Sequence, residues 1–199
     1  MTESTARRPR RPEDFDEYYA ERPPWDVGHP QSAIRALAGE FTGRLLDVGC
    51  GTGEHALLAA SLGVAATGVD TSPLAIDQAR AKAAERGLDV RFEVANALEL
   101  GSLGQQFDTI VDSALFHVFE DEDRIRYVAS LAAAIRPGGR CHLLCFSDRE
   151  PGEFGPRRVS EAEIRAAFAD GWRIESLAPA ELELTWGAAH AWLAAISRA

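Results

Sequence analysis

Apolar positions in this chain follow two alternating rhythms. Short, mostly apolar runs at Arg44 to Val48, Ala65 to Val69, Phe107 to Val111 and Arg140 to Phe146 read as strands buried on both faces, and Val90 to Val94 as a further strand. Between them lie segments of helical period. Pro30 to Glu40 reads as a short helix ending near Gly39, and Glu54 to Leu62 as one stopped by Gly63. Ser72 caps the next, with Pro73 in its first turn and Gly87 just past its end. Ile125, Val128, Leu131, Ala132 and Ile135 recur at helical spacing over Asp123 to Ile135, and Pro137-Gly138-Gly139 ends that helix. Ser160-Glu161-Ala162-Glu163 is a capping box ahead of Ile164, Ala167 and Phe168, with Gly171 as the stop. Trp172 to Leu177, extended through Leu184, and Ala189 to Ala195 close the chain as an antiparallel hairpin. Strands alternating with helices imply a parallel sheet covered on both faces, with its ligand beyond the carboxyl ends of the strands.

Composition narrows the partners. A chain of 199 residues with 46% hydrophobic content suits one domain with a sizeable core. The formal charge of -10 argues against a nucleic-acid partner, which needs a basic footprint, and favours a small molecule. The only basic run, Arg7-Arg8-Pro9-Arg10-Arg11, falls in a Ser-, Thr- and Pro-containing stretch, so residues 1–12 read as a solvated arm. The three cysteines, Cys50, Cys141 and Cys145, suit reduced thiols in a cytoplasmic protein. Cys141 and Cys145 share one face of a strand while His142 takes the other, which favours core packing over a zinc site, so no metal is expected. No membrane span or signal peptide is legible, and both monomer and homodimer are compatible with the chain.

The most specific stretch is Asp47-Val48-Gly49-Cys50-Gly51-Thr52-Gly53-Glu54 with Val69-Asp70-Thr71-Ser72-Pro73 downstream. Its glycines permit positive φ and bring a ligand against bare backbone, and the helix behind them offers unpaired N–H groups. Asp70 ends the second strand, where a carboxylate can accept both ribose hydroxyls. A dinucleotide fingerprint started at Gly49 requires glycine at position 54, where this chain has Glu54; its third glycine, Gly53, is one residue early. A carboxylate there repels a pyrophosphate. Together these residues resemble the motifs of class I S-adenosylmethionine (SAM) dependent methyltransferases. The resemblance implies an α/β fold: a Rossmann-like, seven-stranded, mostly parallel sheet with helices on both faces and a C-terminal antiparallel hairpin, spanning residues 41–199.

It also implies a site. SAM would lie over Asp47, Gly49, Gly51 and Gly53, with Asp70 on the ribose and Thr71 beside the adenine. Family members commonly carry an acid after the third strand; this chain has Ala95-Asn96-Ala97, and the Asn96 side-chain oxygen can accept the same hydrogen bond. Asp112 and Ser113, ending the fourth strand on the same side, are further candidate cofactor contacts, as is Trp25 of the N-terminal segment. Pro23-Pro24-Trp25-Asp26-Val27-Gly28-His29-Pro30-Gln31 is similar to the N-terminal lid of small-molecule thiol, thiopurine and heterocyclic-toxin methyltransferases. Residues 13–40 would then form a lid, with Tyr18, Tyr19 and Trp25 walling the acceptor and Gln31 on the methionine carboxylate. Phe116, Arg157 and Arg158 are further candidate acceptor contacts. His117 is a candidate general base for a phenol-like hydroxyl, whereas a thiol acceptor ionises without one. The implied activity is methyl transfer to a thiol or hydroxyl of a small aromatic or heterocyclic molecule. A non-catalytic SAM-binding regulator and a nicotinamide-dependent oxidoreductase are the alternatives.

Overall fold

The computed structural model describes residues 12–152 and 155–199. The basic run of the expected arm therefore lies outside the described residues. Helix α1 (Pro12–Ala20) and the short α2 (Ser32–Arg35) precede the sheet. The predicted helix over 30–40 begins only at Ser32, because Gln31 is held out of helical torsion, and is short: α2 ends at Arg35 and a separate 3-10 turn follows at Ala38–Glu40. Strands β1 (Arg44–Val48), β2 (Ala65–Asp70) and β3 (Val90–Val94) alternate with α3 (Glu54–Ser61) and α4 (Pro73–Arg86). After them come β4 (Phe107–Ser113), α5 (Asp121–Ala134), β5 (Ile135–Phe146), α6 (Glu161–Ala167), β6 (Trp172–Leu184) and β7 (Gly187–Arg198).

The seven strands form one sheet in the order β3-β2-β1-β4-β5-β7-β6, parallel except for β7. Strand order reverses between β1 and β4, so their carboxyl ends open the crevice where such sheets bind ligands. Val48 there lies in register with both Val69 and Asp112. Leu46, Val48 and Ile110 face a core built with Tyr127, Val128 and Leu131 of α5 and Ile164 of α6. Leu45, Val111 and Leu144 face the other, built with Ile34, Leu57, Ile76 and Ala79 of α2, α3 and α4. Both faces are thus dry, which is why the central strands read as mostly apolar runs. The Pro137-Gly138-Gly139 stop lies inside β5 as a bulge, since Ile135 pairs with Phe107 but Arg140 with Thr109. The hairpin outgrows its neighbour: Phe146 pairs with Ala191, while 181–184 and 187–190 pair only with each other above the sheet edge. No helix among the described residues is long and apolar enough to cross a membrane.

Cys141 and Cys145 pack in the first core, and His142 points the other way, its ring 6.1 Å from that of Phe41. Both ring nitrogens of His142 are buried without a partner, and burial pushes its pKa down to about 4. An unpaired buried polar group costs roughly 1–3 kcal/mol. His142→Leu is therefore expected to stabilise the fold by about 1–2 kcal/mol at neutral pH. The unfolded chain binds this proton near pH 6.5 and the folded chain only near 4, so wild type loses stability as pH falls through that window. The variant's advantage should widen between pH 6.5 and 4 in denaturant titrations; a constant offset would remove His142 as the cause.

Candidate active site

The crevice floor is bare backbone. Gly49, Gly51 and Gly53 take φ of 65°, 52° and 86°, a region that side chains rarely adopt. Space is also closed to them. A Cβ on Gly51 would stand 2.5 Å from the Tyr19 hydroxyl oxygen, and one on Gly53 2.6 Å from the Phe92 ring. Asp70, 8% exposed at the end of β2, ties this loop to the next helix: its oxygens accept the Gly51 N–H at 2.8 Å and the Ser72 N–H at 2.9 Å. Burial raises its pKa, and these N–H donors hold the rise in check. Asp47 lies beneath the loop and accepts the Ala56 N–H at 3.1 Å. Burial, aided by the charges of Asp70 and Asp112, pushes its pKa up to about 7. A side-chain-free floor flanked by the carboxylate of Asp70 fits a sulfonium nucleoside. Glu54 is held by Lys82 and Arg86, each at 2.8 Å, so its charge is spent inside the fold.

Thr71 stands half-buried at the same edge. Asn96 is exposed, its side-chain oxygen accepting the Leu98 N–H at 3.0 Å as a cap on the turn that begins at Ala97. Ser113 is half-buried at the end of β4, and Ala114 after it adopts φ 73°, the only positive φ outside glycine among the described residues. Such a residue is held against strain, a common mark of functional turns. This bend lays Leu115 over Gly49. The N-terminal segment crosses the same edge. Asp16 of α1 accepts hydrogen bonds from the Ser72 hydroxyl and the Leu74 N–H, and the Tyr19 carbonyl accepts one from Gln78. Trp25 donates its indole N–H to the Tyr19 hydroxyl at 3.1 Å and packs 5.2 Å from the Tyr18 ring.

Several expected ligand contacts are committed to the fold instead. Asp112 is fully buried, accepting the Leu115 and Phe116 N–H groups and the Tyr127 hydroxyl at 3.0, 3.3 and 2.7 Å. Phe116 is core rather than pocket wall, fully buried against Tyr127 and Phe168 with the Arg124 guanidinium over its ring. Gln31, expected on the methionine carboxylate, turns its amide to β6: it donates to the Glu183 carbonyl at 3.0 Å and accepts the Glu183 N–H at 2.7 Å. Arg157 pairs with Asp121 and Glu163. Arg158 donates to the carbonyls of Glu150, Pro151, Gly152 and Pro156, bracing its own loop.

His117 is buried, and its Nδ1 accepts the Phe146 N–H at 2.9 Å. That bond places the ring proton on Nε2, so the neutral ring is a donor there. Burial, with Arg124 and Arg158 nearby, pushes its pKa down to about 3. Sequence reasoning passed over His55 and Glu183, which only folding brings to Gln31, since 24 and 152 residues separate the pairs.

Comparison with known proteins agrees with this geometry. A family model described as a methyltransferase domain matches residues 45–139. A protein of Mycobacteroides abscessus named 2-heptyl-1-hydroxyquinolin-4(1H)-one methyltransferase is 40% identical over 171 residues, which span 83% of this chain and 75% of that one. A solved structure described as showing conversion of a disulfide bond into a thioacetal group during echinomycin biosynthesis superimposes with a TM-score of 0.87 at 41% identity. It covers 94% of this chain and 93% of its own. Magnesium protoporphyrin IX methyltransferase from Synechocystis with bound SAH gives a TM-score of 0.67 at 21% identity over 84% of this chain and 81% of that one, a likeness of fold alone. The chain belongs to the class I SAM-dependent methyltransferases. It is an enzyme of that family, and SAM is its cofactor.

Proposed function

We propose that the protein methylates a thiol or hydroxyl group of a small aromatic or heterocyclic molecule, with residues 13–40 serving as the lid of its site. The observation that carries this reading is Tyr19 set against Gly51 of the glycine loop and backed by Trp25 and Tyr18, with the neutral His117 at the post-β4 turn. The relative from Mycobacteroides abscessus bears the name of a hydroxylated heterocycle, and the echinomycin structure that of a sulfur conversion, which supports both halves of the proposal.

When bound, SAM supplies a methyl group on a sulfonium, the electrophile for in-line displacement. The chain's part is to hold, align and exclude water. Gly49, Gly51 and Gly53 let the ligand lie against backbone, Asp70 accepts the ribose hydroxyls, and Thr71, Asn96 and Ala97 border the adenine. Tyr19 and Trp25 cover the loop and displace solvent. His117 serves the acceptor as a hydrogen-bond donor through Nε2 rather than as the base first expected, since its Nδ1 is occupied and its pKa lies far below neutrality. The acceptor then reacts in the fraction that is already ionised in solution. For an aromatic thiol and an N-hydroxyquinolone, kcat/KM should rise with pH to a plateau whose midpoint tracks each acceptor's own pKa. A common midpoint for both, abolished in His117→Ala, would reinstate His117 as the base.

A further inference from the structure

Gln31 sits where three parts of the molecule meet. Its side chain is paired both ways with the backbone of Glu183 on β6. Its carbonyl starts α2 by accepting the Arg35 N–H at 2.9 Å. Its own N–H, left over by the helix it begins, donates to Nε2 of His55 at 3.2 Å. His55 is the second residue of α3, 9% exposed, and stands directly behind the glycine loop. With Nε2 accepting, its proton is on Nδ1, which faces the Asp47 carboxylate at 3.8 Å. Asp47 in turn holds the Ala56 N–H of the same first turn. Hydrogen bonds at Ala56 and Gln31 and one 3.8 Å polar approach between Asp47 and His55 therefore connect the residues beneath the cofactor loop, through one imidazole, to the N-terminal segment. The same end of that segment is tied further to the hairpin that rises above the sheet: Ser32 donates its N–H and hydroxyl to the Glu183 carboxylate at 2.8 and 3.1 Å, and nearer its middle the Pro24 carbonyl accepts the Thr185 N–H at 2.8 Å.

We infer that His55 is a positioning residue that couples the state of the cofactor loop to the seating of the N-terminal lid. It acts through Gln31 and Asp47, its polar neighbours on either side of the ring. Its ring spans the gap between α3, which follows directly on the glycine loop, and Gln31, which joins the N-terminal part of the lid to α2. When the loop is set by SAM, the Asp47–His55 pair is set with it, and the Gln31 N–H finds its acceptor in place. The inference rests on reading residues 13–40 as a lid, so the test separates the two.

Amide hydrogen exchange across residues 12–31 is measured with and without SAM in wild type, His55→Leu and His55→Gln, together with SAM affinity and steady-state kinetics on an aromatic thiol. Wild type should show slower exchange in the lid on adding SAM; no change would overturn both the lid and the coupling. His55→Leu should bind SAM within about threefold of wild type yet lose that protection, with acceptor KM raised about five- to tenfold, the scale of one lost hydrogen bond. His55→Gln keeps an acceptor at the same reach and should restore most of both. Lid protection in His55→Leu equal to wild type, or a SAM affinity loss as large as the KM rise, would overturn the coupling while leaving the lid standing. A second pair makes the same test without touching α3. Gln31→Leu and Gln31→Pro both lose the clamp on Glu183, but only the proline also loses the N–H to His55, and the φ of −52° at this position suits a proline ring. The proline variant should show the weaker response to SAM of the two; equal responses would count against His55.

Discussion

Asp70→Ala is expected to weaken SAM binding by about 3 kcal/mol, roughly a hundredfold in Kd, since charge-assisted hydrogen bonds contribute about 1.5–3 kcal/mol each. Two effects add. On the proposed reading the ribose hydroxyls lose their acceptor, and the Gly51 and Ser72 N–H groups lose the carboxylate that fixes the loop against α4. Asp70→Asn separates them, because one amide oxygen still accepts from the backbone while the amino group faces donors. Its affinity should fall between wild type and the alanine variant. Calorimetry with SAM and with its demethylated product reads the loss. An alanine variant that binds as tightly as wild type would take Asp70 off the ribose. A large loss of stability with SAM affinity unchanged in the folded fraction would leave it only the bracing role.

The second large effect is on stability. Asp112→Ala leaves the Leu115 N–H, the Phe116 N–H and the Tyr127 hydroxyl without their common partner inside the core. At roughly 1–3 kcal/mol for each unpaired group, a total near 4 kcal/mol is expected, a large share of a domain's stability. Asp112→Asn should be close to neutral at pH 7, since its oxygen replaces the acceptor for the two N–H groups and its amide donates to the Tyr127 oxygen. Burial pushes the Asp112 pKa up to about 6, above its unfolded value. The folded chain therefore holds the extra proton between about pH 4 and 6, and wild-type stability from this group falls as pH rises through that window. The asparagine variant lacks that dependence, so it should gain on wild type from pH 4 to 6 and then run parallel. Urea titrations at several pH values check this. An alanine variant within 1 kcal/mol of wild type would mean that the turn after β4 finds other partners.

The hydrophobic pattern carried the architecture because a parallel sheet covered on both sides leaves its central strands no polar face. Ser72, Pro73 and Gly87 bounded α4, and Ser160 with Glu163 formed the capping box of α6, since caps are satisfied by residues a few positions away. The 30–40 region was misread for the converse reason. Gln31 is pulled into an extended form by Glu183, a partner 152 residues distant, and no local pattern announces that. In the site, the glycine loop and Asp70 were legible because their geometry is set by backbone torsion and strand ends. Asp112, Phe116, Arg157 and Arg158 sit where ligand contacts were expected by position along the chain, yet Asp112 and Phe116 are taken up by Tyr127 and Phe168, which packing brings to them, and Arg157 and Arg158 by Glu163 and the carbonyls of the surrounding loop.

The sequence alone thus determined the order of strands and helices, the bare floor with Asp70 beside it, and membership in a family that uses SAM, since each depends on residues adjacent in the chain. Tertiary structure decided which polar side chains remain available to a ligand. It gave Nδ1 of His117 a backbone donor in the Phe146 N–H, and set His55 against the Gln31 N–H. The reason is the same in both cases: a buried polar atom is defined by the partner that satisfies it, and that partner is chosen by the fold.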